Sequence, residues 1–152
     1  MVIGVLLISA CQKKSDAWHA WSRGDFDSAF NIHVERSEAG NTEAINFLGV
    51  HYYLGLGVTR DFKTAEFYFR KAALLNHANA QRNLGIMLYR GLGVEQDFER
   101  AYGWFSQSYL QGNPNSKAYL RMLSNRVTPN AGVRAHERTM AEIRAFEQNR
   151  ER

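Results

Sequence analysis

Apolar and polar residues alternate along this chain with the period of amphipathic helices, in short blocks separated by glycine. Ala44, Leu48 and Tyr52 lie four apart and form one apolar stripe; Ala80, Leu84 and Leu88 form another. Each stripe runs into Gly-Leu-Gly-Val, as Gly55, Leu56, Gly57, Val58 and again as Gly91, Leu92, Gly93, Val94. Glycine there supplies the left-handed backbone that a tight helix-to-helix turn needs. Asp61 and Asp97 follow, placed where a carboxylate accepts from the free amides at the start of a helix. Second helices are therefore predicted from about Phe62 to Leu75 and from about Phe98 to Gln111. Ala65, Tyr68, Phe69 and Ala72 in the first are matched by Ala101, Trp104, Phe105 and Ser108 in the second. Small alanines let paired helices approach, and the rings fill what remains.

Gly49 and Gly85, like Asp61 and Asp97, stand 36 residues apart, and that common offset is a repeat period. Self-similarity of this length marks a solenoid, in which each unit needs a neighbour to cover its apolar side. The expected fold is all-α: a right-handed α-solenoid of helix-turn-helix repeats closed by terminal capping helices. Its divisions are residues 1–10, 11–15, 16–40, 41–76, 77–112 and 113–152. In 16–40, Asp25, Phe26 and Ala29 precede Asp61, Phe62 and Ala65 by one period, which predicts a helix over roughly Phe26 to Glu38. Trp18 and Trp21 are expected to form the core of this N-terminal cap, the alternative being an exposed ligand-gripping pair. Asn113-Pro114 is expected to open a further helix carrying Ala118, Leu120, Met122 and Leu123. Thr128-Pro129 opens a last one to about Asn149, with Val133, Met140, Ile143 and Phe146 inward and alternating Arg and Glu outward.

The run Leu48-Gly49-x-x-Tyr52-x-x-Gly55-x-Gly57-Val58-x-x-Asp61, followed by Ala65 and by Phe67-Tyr68-Phe69-Arg70-Lys71-Ala72-Ala73, resembles the Sel1-like repeat, a relative of the tetratricopeptide repeat. The glycine-rich hinge sets it apart from an ordinary tetratricopeptide unit. In the second copy Leu88 stands for the usual tyrosine and Ser108-Tyr109 for Ala-Ala. The resemblance implies recognition of a protein partner. Small Sel1-like lipoproteins resemble immunity proteins, which bind and neutralise toxic effectors, lipases among them, that act in the periplasm. An envelope adaptor for secretion or polysaccharide machinery is the second implication. A hydrolase or peptidoglycan-binding factor is the alternative of another class.

At the N-terminus, Met1 to Ala10 is almost wholly apolar, too short to span a bilayer but suited to the hydrophobic segment of a signal peptide. Ile8-Ser9-Ala10-Cys11 resembles the lipobox of bacterial lipoproteins, whose cysteine receives a diacylglycerol. No Lys or Arg precedes the run, as a signal peptide's positive region would. The competing reading is an ordinary buried cysteine. If Cys11 is lipidated, Gln12 in place of Asp favours the outer membrane, facing the periplasm, by resemblance to enterobacterial lipoproteins.

With 152 residues, 45% of them hydrophobic, the chain is long enough for one sizeable core. A net charge of +4 is spread among interspersed Asp and Glu and forms no nucleic-acid stripe. One cysteine excludes a disulfide within the chain. His19, His33, His51, His77 and His136 are dispersed without metal-site spacing and are expected at the surface or half-buried. Asp61 and Asp97 already have capping roles, and no Gly-x-Ser-x-Gly or phosphate-cradling glycine loop occurs. Neither a cofactor nor a metal is expected, and a binding protein is favoured over an enzyme. Helix geometry places Asn46, Val50 and Tyr53, then Arg82, Ile86 and Tyr89, then Ala118, Met122 and Asn125 on a concave face, with Tyr53 and Tyr89 as anchors. Packing of these residues against the terminal helix or the next repeat is the competing expectation.

Overall fold

A computed structural model describes residues 16–152; the expected signal segment, Cys11 and the short tether lie outside the described residues. Residues 16–22 are helical (α1). Then come α2 (Phe26–Glu38), α3 (Thr42–Leu54), α4 (Phe62–Leu74), α5 (Ala78–Arg90), α6 (Phe98–Leu110), α7 (Ser116–Leu123) and α8 (Pro129–Arg150). The described residues are all-helical, without a strand.

Local chemistry sets the boundaries. Asp61 accepts from the amides of Lys63 and Thr64, and Asp97 from that of Arg100, so each carboxylate satisfies donors that the first turn leaves open. Asn41 and His77 do the same at the starts of α3 and α5, each accepting from an alanine amide. Gly55 and Gly91 end α3 and α5 in the left-handed region, with φ of 73° and 67°. Gly57 and Gly93 have positive φ too, and a Cβ on either would collide with the carbonyl of Phe26 or of Phe62. Each hinge thus rests directly on the first residue of the preceding repeat's second helix, and that contact sets the spacing between repeats.

Packing follows the chain: α3 on α4, α4 on α5, α5 on α6, with α2 against α3 at one end and α7 against α6 at the other. The core is built from residues of these stripes, with Ile45, Leu48, Leu84, Met87, Trp104 and Phe105 almost completely buried. Gly49 and Gly85 abut the rings of Phe69 and Phe105, where any side chain would intrude. Burial of each large side chain contributes roughly 1.5 to 3 kcal/mol, and here packing has no disulfide to assist it.

The last helix departs from expectation. Its buried row is Ala131, Ala135, Thr139 and Ile143, spaced four apart, and Val133 is 59% exposed. The cause is close approach: α8 lies on α6 where Gly103 has no side chain, and a Cβ there would strike Thr139 and Ala135. Only the small-residue face of α8 fits so tight a crossing. Beyond α6, α8 reaches α4, where Asn76 donates to Glu147 at 2.9 Å and Arg70 pairs with Glu142 at 3.8 Å. The helix therefore folds over the side formed by α4 and α6. It does not fill the side formed by α3 and α5.

Two further expectations need correction. Trp21 is half-buried against Phe26, Phe47 and His51, but Trp18 is 66% exposed. The inward face of α1 is Ala17, Ala20 and Trp21, three and four apart, and Trp18 lies a third of a turn away. Second, α7 begins at Ser116, later than Asn113-Pro114 suggests, and Asn115 makes no side-chain cap. Asn113 itself keeps a capping bond, its Oδ1 accepting from the amide of Asn115 at 3.2 Å, while its Nδ2 donates across the repeat to Asn79 at 2.8 Å. On α7, Ser116 and Leu123 are buried whereas Ala118 and Met122 are exposed.

Candidate functional site

Since α8 lies on the opposite side, the surface of α3 and α5 stays open and carries a slot of about 250 Å³. Val50, Tyr53 and Leu54 of α3 form one wall, and Arg82, Asn83 and Ile86 of α5 the other; Phe69 of α4 is the floor. Four of the nine residues expected on the concave face therefore converge: Val50, Tyr53, Arg82 and Ile86. Asn46 is buried beneath them, its Oδ1 accepting from Asn83 Nδ2 at 3.2 Å. Tyr89 instead packs half-buried against Phe98 and Tyr119. Met122 and Asn125 are exposed on and after α7 and do not line the slot, because α7 is short and presents Tyr119 and Leu123 to the core.

Leu54, Phe69 and Asn83 are the members of the slot missing from the expected face. Asn83 explains why the slot exists. One period earlier stands Phe47, whose ring stacks on His33 at 4.7 Å with 3° between planes. One period later stands Tyr119, stacked on Phe105 at 4.5 Å and 7°. In the middle layer Phe69 faces Asn83, which is too small to close the space, and the nearest wall ring is Tyr53, tilted at 6.4 Å.

The electrostatics of the slot rest on Arg82, the only charged group among its lining residues. Arg82 Nη2 donates to Asn83 Oδ1 at 3.3 Å, but Nε is buried and finds no hydrogen-bond partner among the described residues. The guanidinium thus keeps donor capacity beyond its bond to Asn83, which an acceptor brought to the slot can use.

The histidines hold a feature that spacing did not reveal. His33 and His51, both buried, lie 3.0 Å apart between Nδ1 and Nε2. His51 Nδ1 lies 2.6 Å from the carbonyl oxygen of Leu56 in the hinge. A carbonyl only accepts, so His51 carries its proton on Nδ1 and its Nε2 accepts from Nδ1–H of His33. Burial lowers the pKa of His33 to about 4, assisted by the charges of His51 and Arg36. Burial also lowers that of His51, against the opposing bond to Leu56. Both rings are structural bridges from α2 through α3 to the hinge. Among the described residues no group of three or more His, Cys, Asp or Glu could hold a metal ion, and no helix is long and apolar enough to cross a membrane.

Helix pairs in one register, each hinge seated on the pair before it, define an α-solenoid of helix-turn-helix repeats. More narrowly, the family model for the Sel1 repeat matches residues 42–77 and 78–113 in succession, so this stretch carries two Sel1 repeats. Solved structures agree. A protective antigen present in uropathogenic Escherichia coli strains, displaying an SLR fold, is similar over 79% of this chain with a TM-score of 0.72 and 26% identity. A Sel1 repeat protein from Oxalobacter formigenes is similar over 84%, with a TM-score of 0.69 and 26% identity. The cysteine rich protein B of Helicobacter pylori matches 59% of the chain at 0.56 and 27% identity, over 68% of its own length. This chain spans 26% of the first protein and 54% of the second. No curated protein sequence matches significantly.

Proposed function

We propose that the chain binds another protein through the face of α3 and α5, and that this partner is a secreted toxic effector acting in the periplasm, such as a lipase, which binding neutralises. The observation that carries the reading is the slot itself: two complete repeats meet at an apolar recess beside one arginine, on the side that α8 leaves open. A preformed recess of aromatic and aliphatic walls around one arginine has the composition of an interface centre. The protein acts by binding and without turnover. Attachment to the outer membrane through a lipid on Cys11, facing the periplasm, would place it where such an effector arrives.

The test is co-purification from detergent-solubilised envelope, comparing wild type with the double substitution Val50→Glu and Ile86→Glu, followed by assay of the recovered partner. Two charges in the slot should lower partner recovery at least about tenfold, the effect of losing roughly 1.4 kcal/mol. Recovery within threefold of wild type would remove the face from consideration. A partner whose toxic activity persists at stoichiometric saturation would overturn the neutralising role. For the anchor, Cys11→Ser should release the chain from membranes, and continued retention would count against lipidation.

A further inference from the structure

Resting on that reading of the α3–α5 face, we infer that the slot selects an aromatic side chain of the partner with a carboxylate beside it. The repeat itself supplies the template. At the two flanking layers the chain fills this position with its own ring, Phe47 and Tyr119, and in the middle layer it places Asn83. A ring entering from outside finds Tyr53 on one side and Ile86 on the other. Phe69 is only 2% exposed and contributes a floor rather than a stacking face, so the walls supply most of the contact. Aromatic groups favour tilted and edge-on contacts with such walls, and they order few rotatable bonds on entry.

Charge complementarity selects the second element. Arg82 Nε is a buried cationic donor with no acceptor among the described residues, and the amide of Asn83 is already given to Asn46. A carboxylate adjacent to the entering ring reaches Arg82 and forms a charge-assisted hydrogen bond, about twice as strong as a neutral one. A purely aliphatic group would fill the space without the planar fit, and a neutral one would leave Nε open.

Three small probes separate the elements: N-acetyl-L-phenylalanine, its carboxamide, and N-acetyl-L-leucine, titrated into the 15N-labelled full-length chain. The first should shift the amides of Val50, Tyr53, Arg82 and Ile86 saturably below about 20 mM, within the range open to a fragment of its size. The carboxamide and the leucine analogue should each bind about tenfold more weakly, through loss of the charged bond and of the ring respectively. Arg82→Gln should reduce the acid to the level of its carboxamide. Asn83→Tyr, which copies Tyr119, should abolish binding with the helical circular dichroism unchanged. Absence of saturable shifts overturns the inference, as does equal affinity for leucine or carboxamide, or binding that survives Asn83→Tyr in a folded protein. If the protein partner is lost on Val50→Glu with Ile86→Glu yet held by Asn83→Tyr, the recognition face stands and the aromatic occupant falls. If the phenylalanine probe binds as described while partner recovery ignores all these changes, the aromatic slot stands and the proposed recognition role falls.

Discussion

Positions 33 and 47, 69 and 83, and 105 and 119 are one place in the repeat seen three times. In the first layer His33 lies flat on Phe47, in the third Phe105 lies flat on Tyr119, and in the second Phe69 meets Asn83. In the outer layers the chain's own rings stack on one another at this place, and in the middle one no ring stands opposite Phe69, between two complete repeats. A solenoid thus gains a recess without inserting a loop or rearranging a helix. One ring is withheld where neighbours on both sides keep the frame rigid. The first and third layers differ in turn. His33 and His51 form a polar bridge where the middle repeat has Phe69 and Met87, so the N-terminal layer holds titratable imidazole rings that the other two lack.

The equivalence of the layers depends on the hinges, and breaking a hinge should have the largest effect. Gly93→Ala places a methyl group against the Phe62 carbonyl at a φ of 70° and should cost at least about 3 kcal/mol, or prevent folding altogether. Gly112→Ala shares the positive φ, 87°, but nothing stands within 4 Å of its Cβ, so about 1 kcal/mol is expected. Urea denaturation of the pair measures the difference, and equal losses would show that the hinge contact does not hold the repeat spacing.

Next in size is the conversion of the third layer into a copy of the second. Tyr119→Asn removes the ring stacked on Phe105 and should destabilise the chain by about 2 kcal/mol, less than a fully buried aromatic because Tyr119 is half-buried. It should also open a second recess, beside Phe105, able to take a ring. Unchanged stability by thermal unfolding would mean that the stacked rings do not close the layer.

The first layer is tested by pH. A lowered folded-state pKa on a histidine means that the unfolded chain binds the proton more readily, so folding is favoured above the unfolded value, near 6.5, and weakens as pH falls toward about 4. Between pH 7.5 and 5 the loss should be about 1.5 kcal/mol after allowance for solvent screening. Replacing His33 by Phe and His51 by Met, the residues one period on, should remove most of this slope. A remainder is expected from His77, whose pKa is also lowered by burial and whose Nδ1 must stay unprotonated to accept from Ala80. A slope equal to wild type in the double variant would place the sensitivity elsewhere.

Features encoded within one turn of helix or one hinge were legible in the sequence. Asp61, Asp97 and the two Gly-Leu-Gly-Val runs act through neighbours a few residues away, and stripes such as Ala44, Leu48 and Tyr52 show their buried side by spacing alone. Features that depend on what lies across a packed interface were not. Val133 gave way to Ala131 and Ala135 because Gly103 on another helix admits only small residues, and Asn113 also bonds to Asn79 on the preceding repeat. The histidine pair joins positions 18 apart on two helices, beyond any single-helix pattern. Four of the nine expected recognition residues meet at the slot, all on α3 and α5, which share a register, whereas Ala118, Met122 and Asn125 belong to a pair whose first helix is cut short. The missing ring at position 83 was present in the sequence all along, but only a three-way comparison of layers exposes it.

The smallest effect is the most discriminating. Asn83→Tyr closes the middle layer in the image of the third and should raise stability by only about 0.5 kcal/mol. A new aromatic contact over Phe69 is worth more than that alone. Against it stand the lost bond from Asn83 to Asn46 and the lost acceptor for Arg82 Nη2, which together leave two polar groups to find water. Thermal melting should show a small rise or none, and the sign of the effect carries the lesson. If asparagine were retained for the frame, the tyrosine should destabilise by 1 kcal/mol or more, as loss of a buried polar contact ordinarily does. If it is there to keep a recess open, the closed variant should be as stable as wild type and differ only in what it can bind.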